Sequence, residues 1–419
     1  MREMKDSGIE WIGQIPTNWD VVPHKRVMHK VKEICEQYNG EDIISLTMNG
    51  VIKRDLTAGG KMPTSFDGYQ YVKPNDLLLC LFDIDVTPRC VGVVKDYGVT
   101  SPAYSRFVIH DGYYNAYYDY LLRAIDDDKV FVHLSKNLRS SLTENDFGAI
   151  KTCVPPLAEQ ERIAAFLDAG CSEIDAVLEK TRASIEEYKK LKQAVITQAV
   201  TKGIRGNRPM KDSGIEWIGE IPAEWGVAPH KRIMHKVKEI CEQYNGEDVI
   251  SLTVNGVVKR DLTAGGKMPT SFDGYQYVEP NDLLLCLFDI DVTPRCVGVV
   301  RDYGVTSPAY SRFVMHDGYY NAYYDYLLRM IDDNKVFVHL SKNLRSSLTE
   351  SDFGAIKTCA PPLAEQKCIA AFLDVRCDEI DALIAKKQQY LTEIENYKKS
   401  LIYEYVTGKK EVKTSVLAD

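Results

Sequence analysis

The sequence predicts an α+β protein: two mixed α/β domains separated by two long antiparallel coiled-coil helices, with a pseudo-two-fold arrangement. Three observations predict it. Residues 4–155 recur as 210–361 at a constant offset of 206, with 16 differences over 152 positions. Both copies end on Pro-Pro-Leu-Ala-Glu-Gln, at 155–160 and 361–366. Each is then followed by a polar stretch in which apolar residues return every three or four positions, the period of a helix with one buried face. The boundaries follow as a domain over 1–155, a helix over 156–203, a domain over 204–361, a helix over 362–408 and a tail over 409–419.

Within a copy, Ile43–Leu46, Leu77–Phe82, Val91–Val94 and Arg106–His110 are short β-branched or apolar runs and read as strands. Asn49-Gly50 is a hairpin turn signal. Ala116–Ile125 reads as a helix ending at Asp126-Asp127-Asp128, and Leu138–Ile150 as loop and short strand. The Pro-Pro pair cannot lie inside a helix and marks a helix start.

The first predicted seam carries Ile174, Leu178, Ile185, Tyr188, Val195 and Ala199. The second carries Ile380, Ile384, Leu391, Ile394, Leu401 and Tyr405. Thr181, Lys192, Lys387 and Lys398 interrupt the stripe. A helix of ~40 residues spans ~60 Å at 1.5 Å per residue. One apolar stripe of that length needs a partner, and the other copy is the obvious one. Tyr-Lys-Lys at 188–190 reappears at 397–399, an offset of 209, which predicts three extra residues and a shifted heptad phase in the second helix.

The chain has 419 residues and a net charge of −8, so no global basic excess points to nucleic acid, although a local basic face can sit within an acidic total. Its 11 cysteines form no CxxC and no zinc-spaced cluster, which reads as reduced, buried thiols. No apolar run is long enough to span a bilayer, and no signal peptide is evident. The expectation is a cytoplasmic protein with no membrane association.

Catalytic motifs are missing. The Pro-Pro pairs follow Val154 or Ala360 and precede leucine, unlike the Asn/Asp-Pro-Pro-aromatic motif of a DNA methyltransferase. Gly59-Gly60-Lys61 lacks the spacing and the hydroxyl residue of a phosphate loop, and no HExxH occurs. Glu187-Tyr188-Lys189 has no acidic partner nearby to make a nuclease site, and the eight histidines fall into four repeated pairs, including His24/His230 and His133/His339.

Several motifs together resemble the specificity subunits of type I restriction–modification systems, the HsdS family. They are Lys5 to Gly13 with Ile15-Pro16 and Trp19, and the copy Lys211 to Trp225. Ser101-Pro102-Ala103-Tyr104 and Ser307-Pro308-Ala309-Tyr310 follow, then Leu138-Arg139-Ser140-Ser141-Leu142 with Asp146-Phe147, and the two Pro-Pro-Leu-Ala-Glu-Gln segments. The resemblance covers nearly the whole chain. It implies two target-recognition domains, each reading one half of a bipartite site in double-stranded DNA, on helices that dock methyltransferase subunits. It implies a non-catalytic chain without a cofactor of its own. S-adenosylmethionine, ATP and Mg would belong to partners, the ATP-driven step to a separate restriction subunit. The competing readings are a non-catalytic scaffold with paired protein-binding domains, and a fused restriction–modification enzyme, against which the missing motifs argue.

By residue type, the candidate DNA contacts are Lys136, Asn137, Arg139, Ser140 and Ser141, with Lys342, Asn343, Arg345, Ser346 and Ser347. A second set is Asn49, Lys53 and Arg54, with Asn255, Lys259 and Arg260. Weaker candidates are Thr87-Pro88-Arg89 and Ser105-Arg106. Tyr113, Tyr114, Tyr117, Tyr118 and Tyr120 could stack on bases, although their helical spacing favours packing.

Overall fold

The structure, a computed structural model, describes residues 2–48, 50–57, 63–135, 140–263, 269–293, 295–341 and 346–413. The chain forms two compact units whose boundaries fall inside the long helices: residues 1–182 with 389–419, and residues 183–388.

In the first unit, strands β1 (Met4–Asp6) and β2 (Gln14–Pro16) pair antiparallel, and β3 (Asp20–Pro23) leads through a short 3-10 turn, His24–Arg26, into β4 (Met28–Val31). The hairpin β5 (Ile44–Thr47) and β6 (Gly50–Lys53) follows, then β7 (Gln70–Val72), β8 (Leu77–Leu79), β9 (Val91–Val93), β10 (Gly98–Thr100) and β11 (Ser105–Ile109). An antiparallel sheet has the order β4-β11-β8-β9, and β10 pairs with β7 beside it. At Gly98 a side chain would collide with the backbone carbonyl of Asp42, so only glycine lets β10 approach so closely. Helix α1 (Asn115–Asp127) buries Tyr117, Tyr118, Leu121, Leu122 and Ile125, and α2 (Val130–Leu134) follows.

The segment expected to be loop before the Pro-Pro pair contains a helix, α3 (Glu144–Ala149). Thr143 caps it by accepting from Asp146 N–H, and the Asp146 carboxylate accepts the Thr143 N–H in return. This reciprocal cap makes so short a helix viable. Strand β12 (Lys151–Val154) then pairs with β3.

The second unit repeats these elements from Met210–Asp212 to Lys357–Ala360. Its central sheet pairs Met234–Val237, Ser311–Met315, Leu283–Leu285 and Val297–Val299 in the same order. Val249–Thr253 and Gly256–Lys259 form the hairpin, with Thr253 opposite Gly256. Val254 and Asn255 therefore make the two-residue loop, and Gly256, at φ +94°, is the first paired residue after it.

The long helices are Leu157–Lys202 and Leu363–Val406, 46 and 44 residues. Their inner positions step alternately by four and three. The first runs Leu167, Cys171, Ile174, Leu178, Thr181, Ile185, Tyr188, Lys192, Val195, Ala199; the second Leu373, Cys377, Ile380, Ile384, Lys387, Leu391, Ile394, Lys398, Leu401, Tyr405. Every pair differs by 206, which corrects the expectation of three extra residues: Tyr188 matches Ile394, not Tyr397, and the heptad phase is unshifted.

Each unit contains an antiparallel stretch of both helices. In the first, Phe166 packs on Tyr405 with ring centroids 4.4 Å apart, Lys398 reaches Asp175 at 2.6 Å, and Arg182 reaches Glu395 at 2.6 Å. In the second, Lys192 reaches Asp381 at 2.6 Å and the Lys387 ammonium lies 5.6 Å from the centre of the Tyr188 ring. The lysines that interrupt the stripe thus lay their stems on the seam and deliver charge to the facing helix. Thr181 is buried, and its hydroxyl donates to Val177 O within its own helix at 2.8 Å.

Candidate nucleic-acid interface

The globular part of each unit is held to its helices by the Pro-Pro-Leu-Ala-Glu-Gln segment. Glu159 is buried; its carboxylate accepts from Arg2 Nη1 at 2.6 Å and from Trp19 Nε1 at 3.0 Å. Gln160 accepts the Tyr114 N–H at 2.9 Å and donates to Pro155 O at 2.8 Å. In the second unit Glu365 accepts from Arg208 at 2.6 Å and Trp225 at 2.9 Å, and Gln366 accepts the Tyr320 N–H at 2.7 Å. Opposite this anchor the other helix ends. The Tyr117 hydroxyl donates to Val406 O at 2.7 Å, and Tyr323 to Val200 O at 2.8 Å. A side chain at Gly408, at φ +72°, would overlap Pro16 and Trp19. The position of each domain on its helices is therefore fixed by buried and part-buried polar bonds.

Lys136, Asn137, Arg139, Lys342, Asn343, Arg345 and Asn49 lie outside the described residues. Ser140 stands at φ +41° and its carbonyl accepts the Ile84 N–H at 3.0 Å, while Leu142 N–H donates to Leu81 O at 2.9 Å. Ser346 and Leu348 make the same bonds to Ile290 and Leu287. The chain around Ser140-Ser141 and Ser346-Ser347 is thus fastened to the loop that follows β8, or its copy.

Lys53 is half exposed and pairs with Asp42 at 2.7 Å, and that hydrogen bond raises its affinity for its proton. Lys259 pairs with Asp248 at 2.8 Å and approaches Asp302 at 3.7 Å. Arg54 and Arg260 are exposed, with backbone N–H groups bonded to Ile43 O and Val249 O. Asn255 is exposed in its hairpin loop.

Two weaker candidates are corrected. Arg106 is buried in the middle of the central sheet, with Nε 2.6 Å from Asp76 and Nη1 2.9 Å from Tyr71 O, so its guanidinium is not available to DNA. Arg89 is drawn in by Asp126 and Asp127, at 3.8 and 3.2 Å. Tyr117, Tyr118 and Tyr120 are core residues of α1, which removes them as stacking platforms. His24 and His230 are fully buried against Phe147 and Phe353, and burial pushes their imidazoles down to about 4 and about 3. Among the described residues, no group of three or more His, Cys, Asp or Glu side chains could hold a metal ion, and no helix is long and apolar enough to cross a membrane.

No protein-family model matches the chain. A protein of Methanocaldococcus jannaschii described as the specificity subunit of the type I restriction enzyme MjaX is 24% identical over 437 aligned positions, covering 96% of each chain. The MjaVIII specificity subunit of the same organism is 27% identical over 289 positions, 64% of each chain. Among solved structures, a chain from work on complex assembly and conformational transition of the type I R-M system matches with a TM-score of 0.70 at 15% identity, covering 94% of this chain and 99% of that one. That likeness is one of fold.

Proposed function

We infer that this chain is a member of the type I restriction–modification specificity-subunit family, HsdS, and is the non-catalytic, DNA-reading subunit of such a complex. The relatives are specificity subunits, one of them aligned over nearly the whole length, and a specificity subunit reads sequence without performing chemistry. Two domains read the two halves of a bipartite site in duplex DNA. The long helices dock methyltransferase subunits, which bring S-adenosylmethionine; a restriction subunit brings ATP and Mg.

The observation that carries the finer reading is the near-identity of the two copies. Equal readers select equal bases. Related by the pseudo-two-fold that the sequence repeat implies, they would select an inverted repeat, because protein symmetry is matched by the symmetry of the site. The target is then an interrupted palindrome: a short half-site, an unspecified gap and the reverse complement of that half-site. One adenine in each half is methylated, on opposite strands, and helix length sets the gap. Methylome sequencing of cells expressing the complex tests this. Two unrelated half-sites would refute the palindrome; no methylated motif dependent on this chain would refute the function.

A further inference from the structure

Among the described residues, a run of cations lies outside the candidate loops. Residues 24–32, His-Lys-Arg-Val-Met-His-Lys-Val-Lys, hold four lysines or arginines, two histidines and no carboxylate, within a chain whose net charge is −8. The copy at 230–238 differs only in Ile233 for Val27. The structure explains the pattern. His24, Val27 and Met28 are buried, and their copies His230, Ile233 and Met234 likewise. Lys25, Arg26, His29, Lys30 and Lys32 are exposed around the turn into β4, an edge strand of the central sheet.

These cations are largely uncompensated. Lys30 meets Glu144 at 3.4 Å, and Lys236 meets Glu350 at 3.3 Å. Among the described residues, Lys25, Arg26 and Lys32 have no ion partner, nor have Lys231, Arg232 and Lys238. Glu33, next in sequence, is engaged by Lys73 at 3.0 Å. By contrast, Lys53 and Lys259 are already paired with carboxylates. The His29 ring stacks on His110 at 4.8 Å, and His235 on His316 at 4.7 Å, which extends the basic surface onto the neighbouring strand.

A hollow opens beside the strip, about 370 Å³ in the first unit and about 590 Å³ in the second. Lys25, His29 and Lys30 form one wall and Asn145 and Gly148 of α3 the other. A side chain at Gly148 would press on Lys25 Cβ at 3.4 Å, and one at Gly354 on Lys231 Cβ at 3.4 Å. The segment Ser140–Thr143, the described end of the candidate base-reading loop, runs straight into α3. The loop therefore leads within a few residues into the helix that lines the hollow beside the strip.

We propose that Lys25, Arg26, Lys30 and Lys32, with Lys231, Arg232, Lys236 and Lys238, grip the phosphate backbone of duplex DNA beside each half-site. This rests on the DNA-reading function inferred above and names the surface that supplies its sequence-independent affinity. Exposed lysines and arginines, most of them without a carboxylate partner, fit the sugar–phosphate edge of a duplex and carry no base information. Each phosphate neutralised releases counterions and adds about 0.9 to the salt slope of binding.

The test uses the assembled complex with its methyltransferase subunits, two duplexes, one with and one without the methylated motif, and NaCl from 50 to 200 mM. Replacing Lys25, Arg26 and Lys30 with alanine, together with Lys231, Arg232 and Lys236, should lower affinity for both duplexes by about tenfold or more. The salt slope should flatten by about 0.9 per lost contact, and the methylated sequence should not change. The milder pair Lys25→Gln and Lys231→Gln should act in the same direction, and Lys25→Arg with Lys231→Arg should retain binding. A loss confined to the motif-bearing duplex would make these residues base readers and overturn the proposal. So would unchanged affinity and slope, whether or not the variant aggregates through an unguarded edge strand. Failure of the unmodified complex to prefer its motif would instead overturn the DNA-reading function itself.

Discussion

The two domains share nearly all their residues, yet one corner of each is wired differently. In the first, Arg106 bridges Asp76 at 2.6 Å and Glu33 at 3.5 Å, and Lys73 adds a second cation to Glu33 at 3.0 Å. Lys73 holds the Glu33 carboxyl below the usual range. In the second, Glu279 replaces Lys73. Arg312 then faces three carboxylates: Asp282, Glu239 at 3.7 Å and Glu279 at 3.8 Å. Burial, with a contribution from Glu279, pushes the Asp282 carboxyl up. The difference teaches where a duplicated fold tolerates change. Core substitutions such as Val27 for Ile233 or Ala124 for Met330 stay apolar and buried, whereas the one charge reversal between the copies falls at a half-exposed rim.

The largest expected contrast is at the helix anchor. Among the described residues, Arg208 has a second carboxylate, Glu224 at 3.1 Å, whereas Arg2 has beyond Glu159 only the Asn18 amide oxygen at 3.1 Å, so removing the anchoring glutamate should leave the less compensated charge in the first unit. Glu159→Ala should cost about 3 kcal/mol and Glu365→Ala less, since uncompensated charge out of water is costly. Hydrogen exchange resolved by unit, which follows local opening, would show it. Equal losses would mean that the second carboxylate does not matter at the anchor.

Acid should then unsettle both units together. His24 and His230 are neutral when folded, and their folded pKa values lie below that of free histidine. The unfolded chain therefore binds protons first. Stability is intact above about pH 6.5 and declines through about pH 4 for His24 and about pH 3 for His230. By the acid end the loss should reach about 3 kcal/mol at His24 and about 5 kcal/mol at His230, from about 1.4 kcal/mol per pH unit. Replacing both histidines with glutamine should flatten the acid limb in urea titrations; an unchanged limb would place the acid sensitivity elsewhere.

Arg139→Ala and Arg345→Ala, made singly, probe whether the copies read alike. Each should relax discrimination at its own half-site by about 1–3 kcal/mol and leave the other half-site intact. Binding to duplexes mutated in one half would measure it, and equal weakening on every sequence would assign these arginines to phosphates. The smallest effect is expected from Glu279→Lys, which recreates the first corner in the second. It should stabilise the second unit at neutral pH by about 0.5 kcal/mol, because the site is exposed and screened. It should also lower the Asp282 pKa, which carboxyl NMR titration would follow.

Much of the fold was legible because it rests on local pattern. The Pro-Pro starts and alternating steps of four and three located both long helices, and the 206-residue repeat made one domain stand for two. α3 was legible in principle, since Thr143 and Asp146 spell its cap, but six residues carry too little periodicity to announce a helix. The roles of Glu159 and Gln160 were not legible: Trp19 lies 140 residues from Glu159, and no local pattern reports such a partner. Arg106 misled for a similar reason. Its neighbours in sequence look like a surface strand, while its surroundings, β4 and β8, arrive from elsewhere.

The anchoring of each domain by the end of the other helix also has a consequence for synthesis. The first core includes Leu401, Ile402, Val406 and Val412, whereas the second takes Ala199 and Val200 from residues translated just before it. The second unit is continuous in sequence and the first is not. During translation the half that leaves the ribosome first must wait, with its apolar socket around Trp19 and Tyr117 open, until some 200 further residues have been made. Closing so long a gap is slow compared with local assembly. The later half should therefore finish folding first, and the earlier one is the half that needs protection while it waits.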